Sequence, residues 1–118
     1  MTLELFKDPL ECQVKIYVPS VDCYGFELSS GQIESRLKRL HDRFTRMFGG
    51  CTSYVALGSW SNGHGDVQTE PVHAIESFCT TEQLEANESE LYYEARQLRD
   101  KLNQEAVAVE IDHKLYFV

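Results

Sequence analysis

The sequence predicts an α+β domain with the element order β-α-β-β-α-β. Three observations carry that reading: strict alternation near the N-terminus, two helical stripes separated by a hairpin, and a closing strand. Cys12, Val14, Ile16 and Val18 alternate with Gln13, Lys15 and Tyr17, which is the period of a half-buried strand. Ile33, Leu37, Leu40, Phe44 and Met47 recur at steps of four and three, as do Leu91, Ala95, Leu98 and Leu102. Between them, residues 52–60 and 66–79 read as two strands around a glycine-bearing turn. This order is the split-βαβ, ferredoxin-like arrangement, with both helices on one face of an antiparallel sheet.

Each boundary has its own chemistry. Residues 1–11 form an N-terminal arm around Pro9, packing on the domain or on a neighbouring subunit, and Pro19 ends the first strand. Ser29 with Gln32 makes a capping box for the first helix, and Gly49 or Gly50 supplies its left-handed stop. Asn62-Gly63 and His64-Gly65 form the central turn. Pro71 cannot donate to a ladder, so it belongs at a bulge or beyond the reach of the neighbouring strand. Residues 80–86 read as a connection, with Asn87 and Glu90 capping the second helix. Residues 106–111 alternate inward at Val107, Val109 and Ile111, and Asp112-His113 turns the chain into a short C-terminal hairpin ending at Val118.

At 118 residues the chain is a single domain, and 42% hydrophobic with 25% charged residues is a globular composition. A formal charge of −8 argues against a nucleic-acid partner, whose phosphates demand a basic surface. No apolar run approaches a membrane span, and the first residues lack the basic, then apolar, pattern of a signal peptide. Cys12, Cys23, Cys51 and Cys79 are too widely spaced for a zinc ribbon or a redox dithiol. The expectation is a cytoplasmic protein with reduced cysteines, no metal and no cofactor.

Four groups of residues are candidate sites. Arg36, Arg39, Arg43 and Arg46 form one strip of the first helix, suited to an anion or nucleotide, or to ion pairs with Glu90 and Glu94. His64, Glu70, His73 and Glu76 on the hairpin contain the makings of acid/base catalysis, with Glu70 or His73 as the proton-transfer residue. Strand parity nonetheless puts His73 and Glu76 on opposite faces. The glycines match no phosphate-binding pattern and read as cap, kink and turn. Finally Lys15, Tyr17, Trp60, Tyr54 and His73 are candidates to line the free sheet face, a surface for dimerisation or a small-molecule ligand.

The segments Phe48-Gly49-Gly50-x-Thr52, Gly58-x-Trp60, Gly65, Glu70 and Asn103-Gln104-Glu105-Ala106-Val107 together resemble a group of small uncharacterised bacterial proteins. Those share an FGG-x-T helix end, a G-x-W … G … E hairpin and a QE-x-V entry to the last strand. The resemblance spans residues 33–118, implies a ferredoxin-like fold and brings no established activity. It marks Thr52, Trp60, Glu70, Gln104 and Glu105 as shared site positions. The long, cysteine-bearing N-terminal segment departs from that pattern.

The leading expectation is a small binding or regulatory module, a homodimer or higher homo-oligomer joined through its sheet. The rival is a small enzyme of the dimeric α+β-barrel type using Glu70 or His73. A third is an anion-binding protein using Arg39 and Arg43.

Overall fold

The computed structural model describes residues 3–61 and 63–118. Its elements are β1 (Cys12–Val18), α1 (Ser30–Phe48), β2 (Thr52–Ser61), β3 (Val67–Cys79), α2 (Thr81–Lys101), β4 (Ala108–Ile111) and β5 (Lys114–Phe117). The five strands form one antiparallel sheet in the order β2-β3-β1-β4-β5. This is the ferredoxin-like arrangement with an added edge strand.

The alternation of β1 decides where the core lies. Val14, Ile16 and Val18 are fully buried and meet Leu40, Phe44, Leu91, Ala95 and Leu98 from the two helices. Both helices therefore cover one face, and Lys15 and Tyr17 point to the other. At roughly 25 cal/mol per Å² of apolar surface, burial of a few such side chains outweighs any single polar contact in the domain.

The helix ends follow local chemistry, with one correction. Ser29 and Gln32 form the expected capping box, and Gly49 stops α1 in the left-handed region, at φ 92°, with its N–H donating to Thr45 O. The second helix begins before Asn87, because Thr80 and Gln83 make a capping box of the same kind. Asn87 lies inside α2 and donates instead to the carbonyls of Met47 and Gln83. Residues 81–86 are thus helix, not connection.

The central hairpin forms as expected, with Pro71 beyond the reach of β1, but the kink expected at Gly58 is absent. Pairing of β2 with β3 is continuous from Thr52↔Glu76 to Ser61↔Val67, so neither Pro71 nor Gly58 causes a bulge or kink. Pro71 is accommodated because β1 pairs with β3 only as far as Val18↔His73. Residues 67–72 consequently pair with β2 alone, and the hairpin projects from the domain, whose longest dimension is 50 Å. Asn62, half of one expected turn pair, lies outside the described residues. Gly63 and Gly65 both have positive φ. At the C-terminus, Asp112 (φ 49°) and His113 (φ 66°) make the two-residue turn between Ile111 and Lys114, the left-handed geometry that a tight hairpin requires.

The N-terminal arm leaves much of its apolar surface uncovered, although Leu10, at 50% exposed, lies beside Phe48 and Phe78. Leu5 and Phe6 are 90% and 76% exposed.

Candidate functional site

Glu70 is the feature around which a site can be built. On β3 it shares the open face with Val72, Ala74 and Glu76, because cross-strand partners face the same way and Ala74 opposes Tyr17. Its cross-strand neighbour on β2 is Gly58, and the next rung on that face pairs Trp60 with Gln68. A side chain at Gly58 would lie 3.7 Å from Cζ3 of the Trp60 ring, which occupies the space beside the glycine. Gly58 therefore leaves an indole and a carboxylate together on one face.

The other wall comes from residues 19–28, the connection between β1 and α1. It is a compact loop. Asp22 Oδ1 accepts from the N–H groups of Tyr24 and Phe26, both at 2.9 Å, and Val21 bridges to Glu27. Gly25, at φ 85°, completes the turn. Cys23 N–H donates to Asn103 O at 2.9 Å, and Gln104 Nε2 donates to the carbonyls of Val21 (2.7 Å) and Leu102 (2.9 Å). The loop is pinned to the segment that leads from α2 into β4.

That pinned loop closes over Glu70. Ser20 Oγ–H donates to Glu70 Oε2 at 3.0 Å, and the residue is only 7% exposed. Burial pushes the Glu70 carboxyl above its ordinary pKa. The Ser20 hydroxyl and the backbone N–H groups of Ser20 and Val21 pull the other way, since hydrogen bonds to an anion favour it. No lysine or arginine pairs with Glu70 among the described residues. A buried carboxylate with hydrogen-bond donors but no such cation is an unusual local charge.

The remaining candidates separate. His73 opposes Val18 and faces the helices, so Glu70 and His73 do not share a face, and His73 does not line the open sheet. Thr52 shares the open face but sits opposite Glu76, six rungs from Glu70, about 20 Å along the strand. Gln104 reaches the site indirectly, through Val21, and Glu105 is exposed. Three of the four arginines of the strip, Arg39, Arg43 and Arg46, are held in ion pairs. Arg39 grips Glu94, Arg43 lies 3.9 Å from both Glu90 and Glu94, and Arg46 pairs with Asp42 one turn earlier. Those carboxylates hold Arg39 and Arg43 against α2, and the arrangement gives an anion-binding role no support.

The middle of the open face carries a network of its own. Lys15 Nζ lies 3.4 Å from Glu76 and 4.0 Å from Glu110, and 5.9 Å from the ring centres of both Tyr17 and Tyr54. The Tyr54 hydroxyl foremost, then the Tyr17 phenol and the Glu76 carboxylate, raise the Lys15 pKa against the opposing effect of burial, so the amine stays protonated and is no nucleophile. Ser20 was not visible as a site residue in the sequence. The Asp22-x-x-Gly25 turn signal beside it was the available clue.

Among the described residues no cluster of three or more His, Cys, Asp or Glu side chains is arranged to hold a metal ion, and no helix is long and apolar enough to cross a membrane.

No family model and no curated protein matches the chain. Among solved structures, it is similar to a phage SAM lyase in complex with S-methyl-5'-thioadenosine, with a TM-score of 0.64 at 15% identity, covering 99% of this chain and 95% of that one. A phage SAM lyase in the apo state gives a TM-score of 0.64 at 20% identity, covering 96% and 94%. The periplasmic divalent cation tolerance protein CutA from Archaeoglobus fulgidus gives 0.46 at 14% identity, covering 74% and 70%. At these identities the lyase likeness is one of fold, and it extends over the whole chain.

Proposed function

We propose that this chain is a small enzyme that cleaves S-adenosylmethionine, using the open-face site around Glu70 and Trp60. The observation that carries the reading is the Glu70 carboxylate, buried under the 19–28 loop with no lysine or arginine to neutralise it. A sulfonium is a fixed cation without a proton to donate, so it calls for a counter-charge and an aromatic face more than for a hydrogen-bond acceptor. Glu70 supplies the first and Trp60 the second, and indole also stacks on a nucleobase. The full-length likeness to a lyase that holds S-methyl-5'-thioadenosine supports the choice of substrate.

The chemistry asks little of the protein beyond position. The sulfur leaves with its bonding electron pair as neutral S-methyl-5'-thioadenosine, needing no general acid. The carboxylate of the substrate's own amino-acid part closes onto the released carbon as a lactone. Glu70 orients the sulfonium by charge, which is catalysis by placement. His73 takes no part.

The test is incubation with S-adenosylmethionine and chromatography of the products. Release of S-methyl-5'-thioadenosine by the wild type, with at least about a hundredfold loss in Glu70→Gln, is the expected result. Binding by the wild type without turnover would reduce the protein to a binding module, and neither binding nor turnover would remove the reading. Trp60 is the sole tryptophan, so its fluorescence reports binding directly.

The same reading includes a homo-oligomer joined through the sheet. Its support is the position of β2 at the sheet's outer edge, with Val55, Leu57 and Val67 between 63% and 73% exposed on the projecting hairpin. Light scattering behind size-exclusion chromatography tests it, and a strict monomer at high concentration would sink it.

A further inference from the structure

A second constellation lies at the opposite end of β2. His41 and Thr45 stand one turn apart on α1, and the Gly49 cap reverses the chain so that Cys51 returns beside them. Cys51 Sγ lies 3.4 Å from His41 Nδ1, and His41 Nε2 lies 2.8 Å from Ser53 Oγ. The sulfur also approaches Thr45 Oγ1 and the His41 carbonyl, each at 3.8 Å. A thiol faces one ring nitrogen and a hydroxyl faces the other. With Nε2–H donating to Ser53 Oγ, Nδ1 presents its lone pair to the thiol, which is the nucleophile, base and orienting-group arrangement.

The other cysteines are placed differently. Cys12 and Cys79 are buried opposite each other on β1 and β3, and burial pushes the Cys79 thiol up to about 11. Cys23 sits in the 19–28 loop, half-buried. Cys51 alone among the four lies against an imidazole, and it lines a cavity of about 330 Å³ with Phe48, Gly49, Gly50, Phe78 and Glu76. The cavity has room for a small molecule, and its walls combine Leu10, Phe48 and Phe78 with the polar Thr52, Glu76 and Ser77.

We infer that Cys51 is a reactive thiol that takes small neutral disulfides by thiol–disulfide exchange, with His41 as its base. His41 Nδ1 accepts the thiol proton, and the thiolate attacks one sulfur of the disulfide. The S–S bond breaks, and the departing sulfur leaves with the bonding pair and is protonated from the imidazolium. Cys51 is oxidised to the mixed disulfide, and half of the small disulfide is reduced to a thiol. The site is independent of Glu70, since Cys51 and Gly58 are seven residues apart along an extended strand, about 23 Å.

The experiment treats the intact protein with hydroxyethyl disulfide and follows each cysteine by peptide mass spectrometry over time. Cys51 should be modified first, at least about tenfold faster than Cys23, and His41→Asn should slow Cys51 at least about tenfold while Cys23 keeps its rate. Should His41→Asn unfold the domain, Cys12 and Cys79 would react as well. Ser53→Ala then decides, with slower Cys51 modification and protected Cys12 and Cys79 expected. Cys23 reacting first, or a Cys51 rate unchanged in the variant that stays folded, would overturn the inference.

Discussion

Arg39 grips Glu94 across the two helices, its Nε and Nη2 donating to the two carboxylate oxygens at 3.0 and 2.9 Å. The two ends of this bond are unequal. The Glu94 side chain is 3% exposed, whereas that of Arg39 is 35% exposed. Removing Arg39 strands a buried charge; keeping it holds α1 to α2.

Arg39→Met should therefore destabilise the domain by about 3 kcal/mol, at the low end for buried pairs because the arginine itself reaches solvent. Arg43, 3.9 Å away, can compensate only in part. Pairing Arg39→Met with Glu94→Leu should recover most of the loss, because two apolar groups leave no charge unsatisfied. Urea denaturation of the wild type, the single variant and the double variant measures this. A single variant as stable as wild type would show that Arg43 replaces Arg39 fully.

The first turn of α2 rests on Thr80. Its side chain accepts from Gln83 N–H at 3.1 Å, and Gln83 Oε1 accepts from Thr80 N–H at 2.9 Å. Thr80→Ala should cost about 1 kcal/mol and lower Tm by about 4 °C. Thermal melts followed by circular dichroism check it, with Thr80→Asn expected to keep most of the stability.

The contrast between the two helix starts explains how much of the fold could be read in advance. Ser29-x-x-Gln32 and Thr80-x-x-Gln83 are the same capping motif, yet only the first stands directly before an apolar stripe. After Thr80 the next six positions carry a single large apolar residue, Leu84, so the stripe that marks a helix begins only at Leu91. The strands were legible because β1 alternates strictly and the hairpin register follows its turn. That parity also separates His73 from Glu70. The roles of Ser20 and His41 were not legible, because each depends on a chain reversal: the aperiodic 19–28 loop for one, the Gly49 cap for the other. Periodicity carries no information across either.

Gly58 tests the placement of Trp60. A Cβ there would meet Val72 Cγ1 at 3.5 Å and the indole at 3.7 Å, which is ordinary contact, so Gly58→Ala should fold and leave the ring in place. A longer side chain reaches into the ring's position. Gly58→Leu should shift the tryptophan emission to longer wavelength and abolish the fluorescence response to S-adenosylmethionine, with stability within about 1 kcal/mol of Gly58→Ala. Unchanged emission in Gly58→Leu would show that the ring does not depend on the glycine.

Glu70 makes the stability of the fold depend on pH with a definite sign. Burial raises its folded-state pKa above the ordinary 4.5, so over the interval between the two values the native state binds more protons than the unfolded state. Stability then falls as pH rises through that interval and levels off above it, because ionising the buried carboxyl costs more in the fold than in the open chain. Glu70→Gln cannot ionise, and its amide oxygen can still accept from Ser20. The variant should gain on wild type as pH climbs from 4.5 and hold a constant difference afterwards, measured as the urea midpoint at a series of pH values. A difference that shrinks with rising pH would mean that the Ser20 and Val21 hydrogen bonds outweigh burial. In that case the protein itself would already stabilise the carboxylate, and a cationic substrate would gain less by meeting it.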